Sequence, residues 1–218
     1  MKMSFIKISK IFKLSFAAFF LGICVTFAQS TKENQLSLNS NQKVKSFSIG
    51  LKAGVPNIIG GGLEIVLPFF DHHFSIYGDL SKFNLELDDT SADLSYSEFG
   101  FNYYFNTKGK GLYLGAGFGK FDSTLVVSNI ELEGDRTGQG SVDLLINTTN
   151  LKLGLKTGGT FYFRVEMGYG LGEVPSELMI NASTSDGYKE TVVEEVPNIP
   201  GISNSGILVG NIGFGLSF

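Results

Sequence analysis

The 218-residue chain has one cysteine, two histidines, five prolines and no tryptophan. The cysteine, Cys24, lies near the start, so the remainder has no disulfide, no cysteine ligand and no cysteine nucleophile. The histidines, His72 and His73, are adjacent. Neighbours in one turn rarely converge on a metal ion, and no serine and acid are arranged with them as a nucleophile and its base would be. Long apolar runs are missing too: past residue 28 none approaches the roughly 20 residues of a membrane-spanning helix. Positive charge is scarce beyond that point, with thirteen Lys and Arg against twenty-one acids, a net −8. That balance argues against nucleic acid as a partner.

The first 28 residues have their own pattern. Lys2, Lys7, Lys10 and Lys13 precede an apolar run from Leu14 to Val25, and Thr26-Phe27-Ala28 ends on a small residue. This is the three-part form of a secretory signal peptide, assigned to residues 1–28. Ile23 is bulky where a lipoprotein site before Cys24 would take a small residue, so lipidation is not expected. Residues 29–44 are polar and aperiodic and read as a flexible periplasmic lead-in. Residues 45–218 form one domain.

That domain alternates with a period of two. The segments are SFSIGLKAGV, GLEIVLPFF, FSIYGDLS, YSEFGFNYYF, LYLGAGFGKF, a sixth ending NLKLGLK, TFYFRVEMGYGL and the terminal GILVGNIGFGLSF. In each, one face carries Phe, Leu, Ile or Val and the other Gly, Ser, Tyr and scattered charge, as β-strands between two environments do. The stretch DLLINTT breaks phase and suggests a bulge. Short turns follow the second, fourth and sixth segments. Longer polar stretches, 82–95, 122–142 and 172–205, follow the third, fifth and seventh and read as loops. The expected fold is all-β: an eight-stranded antiparallel up-and-down transmembrane β-barrel with short periplasmic turns and longer extracellular loops.

The alternation leaves open which face is inside. A soluble lipid-binding barrel would turn the apolar set inward, and a membrane barrel would turn it to lipid. The polar set holds too little charge for a soluble surface, and Phe69, Phe74, Phe105, Phe161 and Phe218 collect at the short-turn end like an interfacial girdle. The membrane assignment is preferred, with the soluble periplasmic barrel as an alternative. On it, Lys52, Glu64, Asp79, Glu98, Lys152, Arg164 and Glu166 face a narrow lumen at about one depth, where opposite charges would pair. A plug that fills the barrel is the first reading; an ion-conducting constriction, hence a narrow porin for ions or small solutes, is the second.

The signal peptide, the alternating segments and the terminal GNIGFGLSF resemble the small outer-membrane β-barrel family of Gram-negative bacteria, the OmpA-transmembrane-domain, OmpX and OmpW-like group. LPFFDHHFSIYGDL and the Gly-rich strands are similar to porin-family barrels of Bacteroidetes. The resemblance implies an integral outer-membrane protein with both termini periplasmic, in contact with outer-membrane lipid and lipopolysaccharide. It also implies that the barrel-assembly machinery reads the closing strand, through Phe214, Leu216 and Phe218. No cell-wall-binding domain is expected after Phe218. The family is diverse in activity, so fold alone does not give function.

No enzyme chemistry, cofactor or metal site is expected. The polar stretches are acidic: Glu86, Asp88, Asp89 and Asp93; Asp122, Glu131, Glu133 and Asp135; Glu173, Glu177, Asp186, Glu190, Glu194 and Glu195. They read as solvated surface that offers a route to an extracellular ligand, and their spacing matches no calcium-loop motif.

Overall fold

Side chains along the first strand alternate strictly between outside and inside: Phe47, Ile49, Leu51, Ala53 and Val55 are exposed, while Ser48 and Lys52 are buried. The same inversion of soluble-protein logic runs through the barrel wall up to the level of Lys120. The structure, a computed structural model, describes residues 44–87, 90–132, 136–184, 186–195 and 201–218. The expected signal peptide at 1–28 and the expected lead-in up to residue 43 lie outside the described residues.

Eight strands close on themselves: β1 (Phe47–Val55), β2 (Ile58–Val66), β3 (Phe74–Leu87), β4 (Thr90–Tyr104), β5 (Gly111–Leu132), β6 (Arg136–Lys156), β7 (Phe161–Leu171) and, after three short strands, β11 (Gly206–Ser217). Each pairs antiparallel with its neighbour, and β11 returns to β1 with Ser48 opposite Ser217. The three short strands are β8 (Glu177–Ser183), β9 (Lys189–Glu195) and β10 (Ile202–Ser203).

The register sets the barrel's size. Opposed residues step from Ser48 through Glu64, Tyr77, Gly100, Gly117, Asn150 and Gly170 to Ile207. The β11–β1 offset, Gly210 opposite Val55, carries Ile207 to position 58, so one circuit advances from 48 to 58. Ten residues of stagger over eight strands tilt the strands by about 40° and give a backbone radius of about 8 Å. A cylinder that narrow is filled by side chains. Ser48, Glu64, Tyr77, Gly100, Gly117, Asn150, Gly170 and Ile207 are all buried.

The stretches read as long loops are largely strand. Residues 82–87 and 90–95 form the ends of β3 and β4, and 122–132 and 136–142 belong to β5 and β6, which are 22 and 21 residues long. Within 172–205 lie β8, which pairs with Gln139–Ser141 of β6, and β9, which pairs with β8. The expected bulge near DLLINTT is not there. Register is unbroken from Gly111/Lys156 to Val127/Gly140, and it shifts only between Val127 and Ile130.

Candidate functional site: a charged lumen beneath an apolar cap

Inward positions on six strands bring the charges together. Lys52 comes from β1, Glu64 from β2, Asp79 from β3, Glu98 from β4, Lys152 from β6, and Arg164 and Glu166 from β7, all at most 4 % exposed. Lys156 on β6, equally buried, joins them. Four acids and four bases therefore balance in the interior. Burying charge without partners is costly, so the partners decide whether such an interior can exist.

Glu64 holds the tier nearest the termini. Its Oε2 is 2.7 Å from Lys156 Nζ and pairs with Arg164 Nη2, while Oε1 accepts from Ser75 Oγ (2.6 Å), Tyr104 OH (2.7 Å) and Asn102 Nδ2 (3.0 Å). Lys156 also donates to Ser48 Oγ at 2.8 Å, which ties this tier to the β1–β11 seam through Ser48 and Ser217, 2.9 Å apart.

The second tier is built on Glu98 and Glu166. Lys152 Nζ is 2.9 Å from Glu98 Oε1 and lies over the Tyr77 ring at 4.2 Å. Tyr77 OH donates to Glu98 Oε1, and Tyr96 OH to Glu98 Oε2 at 2.8 Å. Lys52 Nζ bridges Asp79 (2.6 Å) and Glu166 (3.0 Å), and Tyr113 OH donates to Glu166 at 2.5 Å. Arg164 Nη1, 3.6 Å from Glu166 Oε1, links the tiers.

The sequence expectation of one common depth is thus corrected. Asn102 and Glu98 on β4, like Lys156 and Lys152 on β6, are four residues apart. That separates the tiers by roughly 10 Å along the axis. Strand offsets, invisible in a single chain's periodicity, set the stagger. Lys156 lies in phase with Lys152 in NLKLGLK, so phase could have found it.

Glycines make the space for the tyrosines. A Cβ on Gly117 would lie 2.5 Å from Tyr77 OH, and one on Gly100 2.9 Å from it. Tyr162 OH crosses Gly215 in the same way, at 2.8 Å.

Above the charges the lumen changes character. Asn150, Thr148 and Tyr96 form a neutral polar layer, with Asn150 Nδ2 donating to Tyr96 OH at 2.7 Å. Beyond it, buried Ile146, Val174 and Ile207 pack with Phe121, Leu144 and Ile202 on the β5–β6–β11 side. Val174 follows β7 and is held by its N–H to Asn204 O, 3.2 Å, so a residue outside the barrel wall joins this cluster. No sequence signal marked it: it lies in a stretch read as polar loop.

The remaining candidates fall elsewhere. Phe214, Leu216 and Phe218 face outward at the seam, where the Phe218 ring lies 6.3 Å from Phe47. Phe69, Phe70, Phe74, Tyr103 and Phe105 form a run of edge-on and tilted ring contacts, 5.2–6.0 Å apart, at the terminal end. His73 Nδ1 bonds Tyr104 O at 2.6 Å and its ring stacks on Tyr103, a structural placement in the turn. Asp88, Asp89, Glu133 and Asp135 lie outside the described residues, as do the side chains of Glu131, Glu194 and Glu195. Asp122 is not in a loop but on the outer wall of β5, 3.5 Å from Lys120.

Fold and interior together define a closed eight-stranded antiparallel barrel, apolar outside and ion-paired within, with an apolar cluster beyond the charges. No protein-family model and no curated protein matches the chain. The solved structures that align with the chain include two outer-membrane proteins. CarO2 of Acinetobacter baumannii is 14% identical, with 81% of this chain and 100% of that one aligned and a TM-score of 0.44. A major outer membrane protein from Thermus thermophilus is 11% identical over 79% and 98%, with a TM-score of 0.41.

Proposed function

We propose that the chain is an integral outer-membrane barrel whose lumen is closed, acting as a structural or surface-interaction protein, with no catalytic role and no cofactor. The observation that carries the reading is the inverted barrel. Leu51, Phe99, Phe101, Leu114, Leu151, Phe163 and Phe214 are exposed on the outer wall, while every charge of the two inner tiers is paired. A soluble lipid-binding barrel has the opposite arrangement. A strand of about ten residues tilted by about 40° spans an apolar band of about 25 Å. The aromatic run at the terminal end and the signal peptide support insertion with both termini periplasmic, the hairpins facing outward and the barrel-assembly machinery reading Phe218. The resemblance to the OmpA, OmpX and OmpW-like group and to the porin-family barrels of Bacteroidetes supports the same setting. Outer-membrane lipid and lipopolysaccharide are then its surroundings, and the acidic hairpins its route to an extracellular ligand.

Two measurements test this. Carbonate-washed membranes should retain the protein; release into the wash would favour the soluble barrel. Purified protein in a planar bilayer should give no stable conductance steps. Steps from the wild type would replace the closed barrel with a narrow porin and put its constriction at Lys52 and Arg164.

A further inference from the structure

On the outer wall of β3 to β6 the apolar rows give way to mixed polar and apolar ones. Gly78, Phe99, Phe118, Thr149 and Leu171 stand side by side in register, with the Phe99 and Phe118 rings 5.6 Å apart. One step towards the long hairpins the row reads Leu80, Ser97, Lys120, Asn147; the next reads Lys82, Ser95, Asp122, Leu145. Lys82 and Lys120 are the outward-facing cations of the barrel strands among the described side chains. They stand diagonally on either side of β4, roughly 12 Å apart at the backbone, within the combined reach of two lysine side chains. Both line one concavity of about 390 Å³ with Leu80, Ser95, Ser97 and Asp122. Below it, past Phe99 and Phe118, the small side chain of Ala116 leaves an apolar groove of about 610 Å³ between Phe101, Leu114, Leu151, Leu153 and Met167.

We propose that this face binds one phosphorylated lipid, its headgroup phosphate held between Lys82 and Lys120 over the hydroxyls of Ser95 and Ser97, its acyl chains lying down the groove. The proposal rests on the membrane reading above, under which the site faces the outer leaflet. Cations at the edge of an apolar wall complement an anionic headgroup. Asp122 lies 3.5 Å from Lys120, both about half exposed, and this surface pair is weak enough to yield to a phosphate.

The test uses the purified full chain in a neutral detergent, titrated with dioleoyl phosphatidate, dioleoyl phosphatidylcholine or inorganic phosphate and read by native mass spectrometry. The wild type should retain one phosphatidate in preference to phosphatidylcholine. In Lys82→Gln/Lys120→Gln that preference should fall about thirtyfold. Asp122→Asn should raise it, and Lys108→Gln/Lys110→Gln, at the opposite end, should leave it unchanged. An undiminished preference in the Lys82/Lys120 variant overturns the site, and so does equal retention of both lipids by the wild type. Displacement of phosphatidate by equimolar inorganic phosphate overturns the lipid as its source. A wild type that stays dispersed without detergent overturns the membrane reading and the site with it, an outcome separate from lost preference in a protein that needs detergent.

Discussion

Glu64 shows how much one inward residue can carry. It faces two cations and three neutral donors, so nearly every lone pair is occupied. Glu64→Ala would leave Lys156 and Arg164 buried without their shared anion. The expected loss is about 3–5 kcal/mol, against less than about 0.5 kcal/mol for Glu86→Gln on the exposed part of β3. Urea unfolding in lipid vesicles, followed by the gel shift between folded and unfolded forms, measures both. Gly117 is the steric counterpart. Gly117→Val would push Tyr77 off Glu98 and Lys152, and it should cost about 1–3 kcal/mol in the same assay. Equal stability of Gly117→Val and wild type would show that the tyrosine has room to spare. The sequence exposed these inward residues through phase alone. It could not pair Glu64 with Arg164, a hundred residues apart, because pairing depends on how the intervening strands are offset.

At the scale of elements, the long hairpins were the least legible part. Alternation is visible only where the two faces meet different surroundings. Beyond Lys120 the outer wall carries Asp122 and Thr124 and the inner wall Ser123, so the polar contrast vanishes although the ladder continues to Val127. β8 and β9 are short, and among the described residues their strand pairing with the barrel is through Gln139–Ser141. Replacing residues 177–195 with a short Gly-Ser linker should therefore leave the barrel folded, with the melting temperature unchanged within about 2 °C. A barrel that no longer folds would mean that the hairpin organises β6. The seam between β1 and β11 should behave in the opposite way. Phe218→Pro would remove the N–H that bonds Phe47 O across it at 2.8 Å, and it should diminish the folded gel band by weakening the closure of the ring.

On the closed-lumen proposal, the molecule as a whole has two barriers, the ion-paired tiers and the apolar cluster around Val174, in a barrel about 8 Å in backbone radius. Lys52→Ala/Arg164→Ala alone and Val174→Asp alone should each remain silent in a planar bilayer. Their combination should give conductance steps, because ions then meet neither a filled tier nor a dry mouth. Steps from Val174→Asp alone would make the cap the sole barrier and the tiers a wet pathway.

The alternation by itself determined the strands β1 to β7 and β11 and the common phase of the seven charged residues, because a strand between two unlike media must alternate; turn lengths gave the antiparallel ring, and the scarcity of charge gave the inward face. Tertiary structure decided the rest. The stagger of the ring split one expected charge level into two tiers and brought in Lys156. The chain beyond β7 folded back to pack Val174 with Ile146 and Ile207, a contact its own segment gave no sign of making. The polar hairpins became strand because neighbouring backbone, not side-chain contrast, satisfies their hydrogen bonds. Period reports what each strand faces; only the offsets between strands fix which side chains meet.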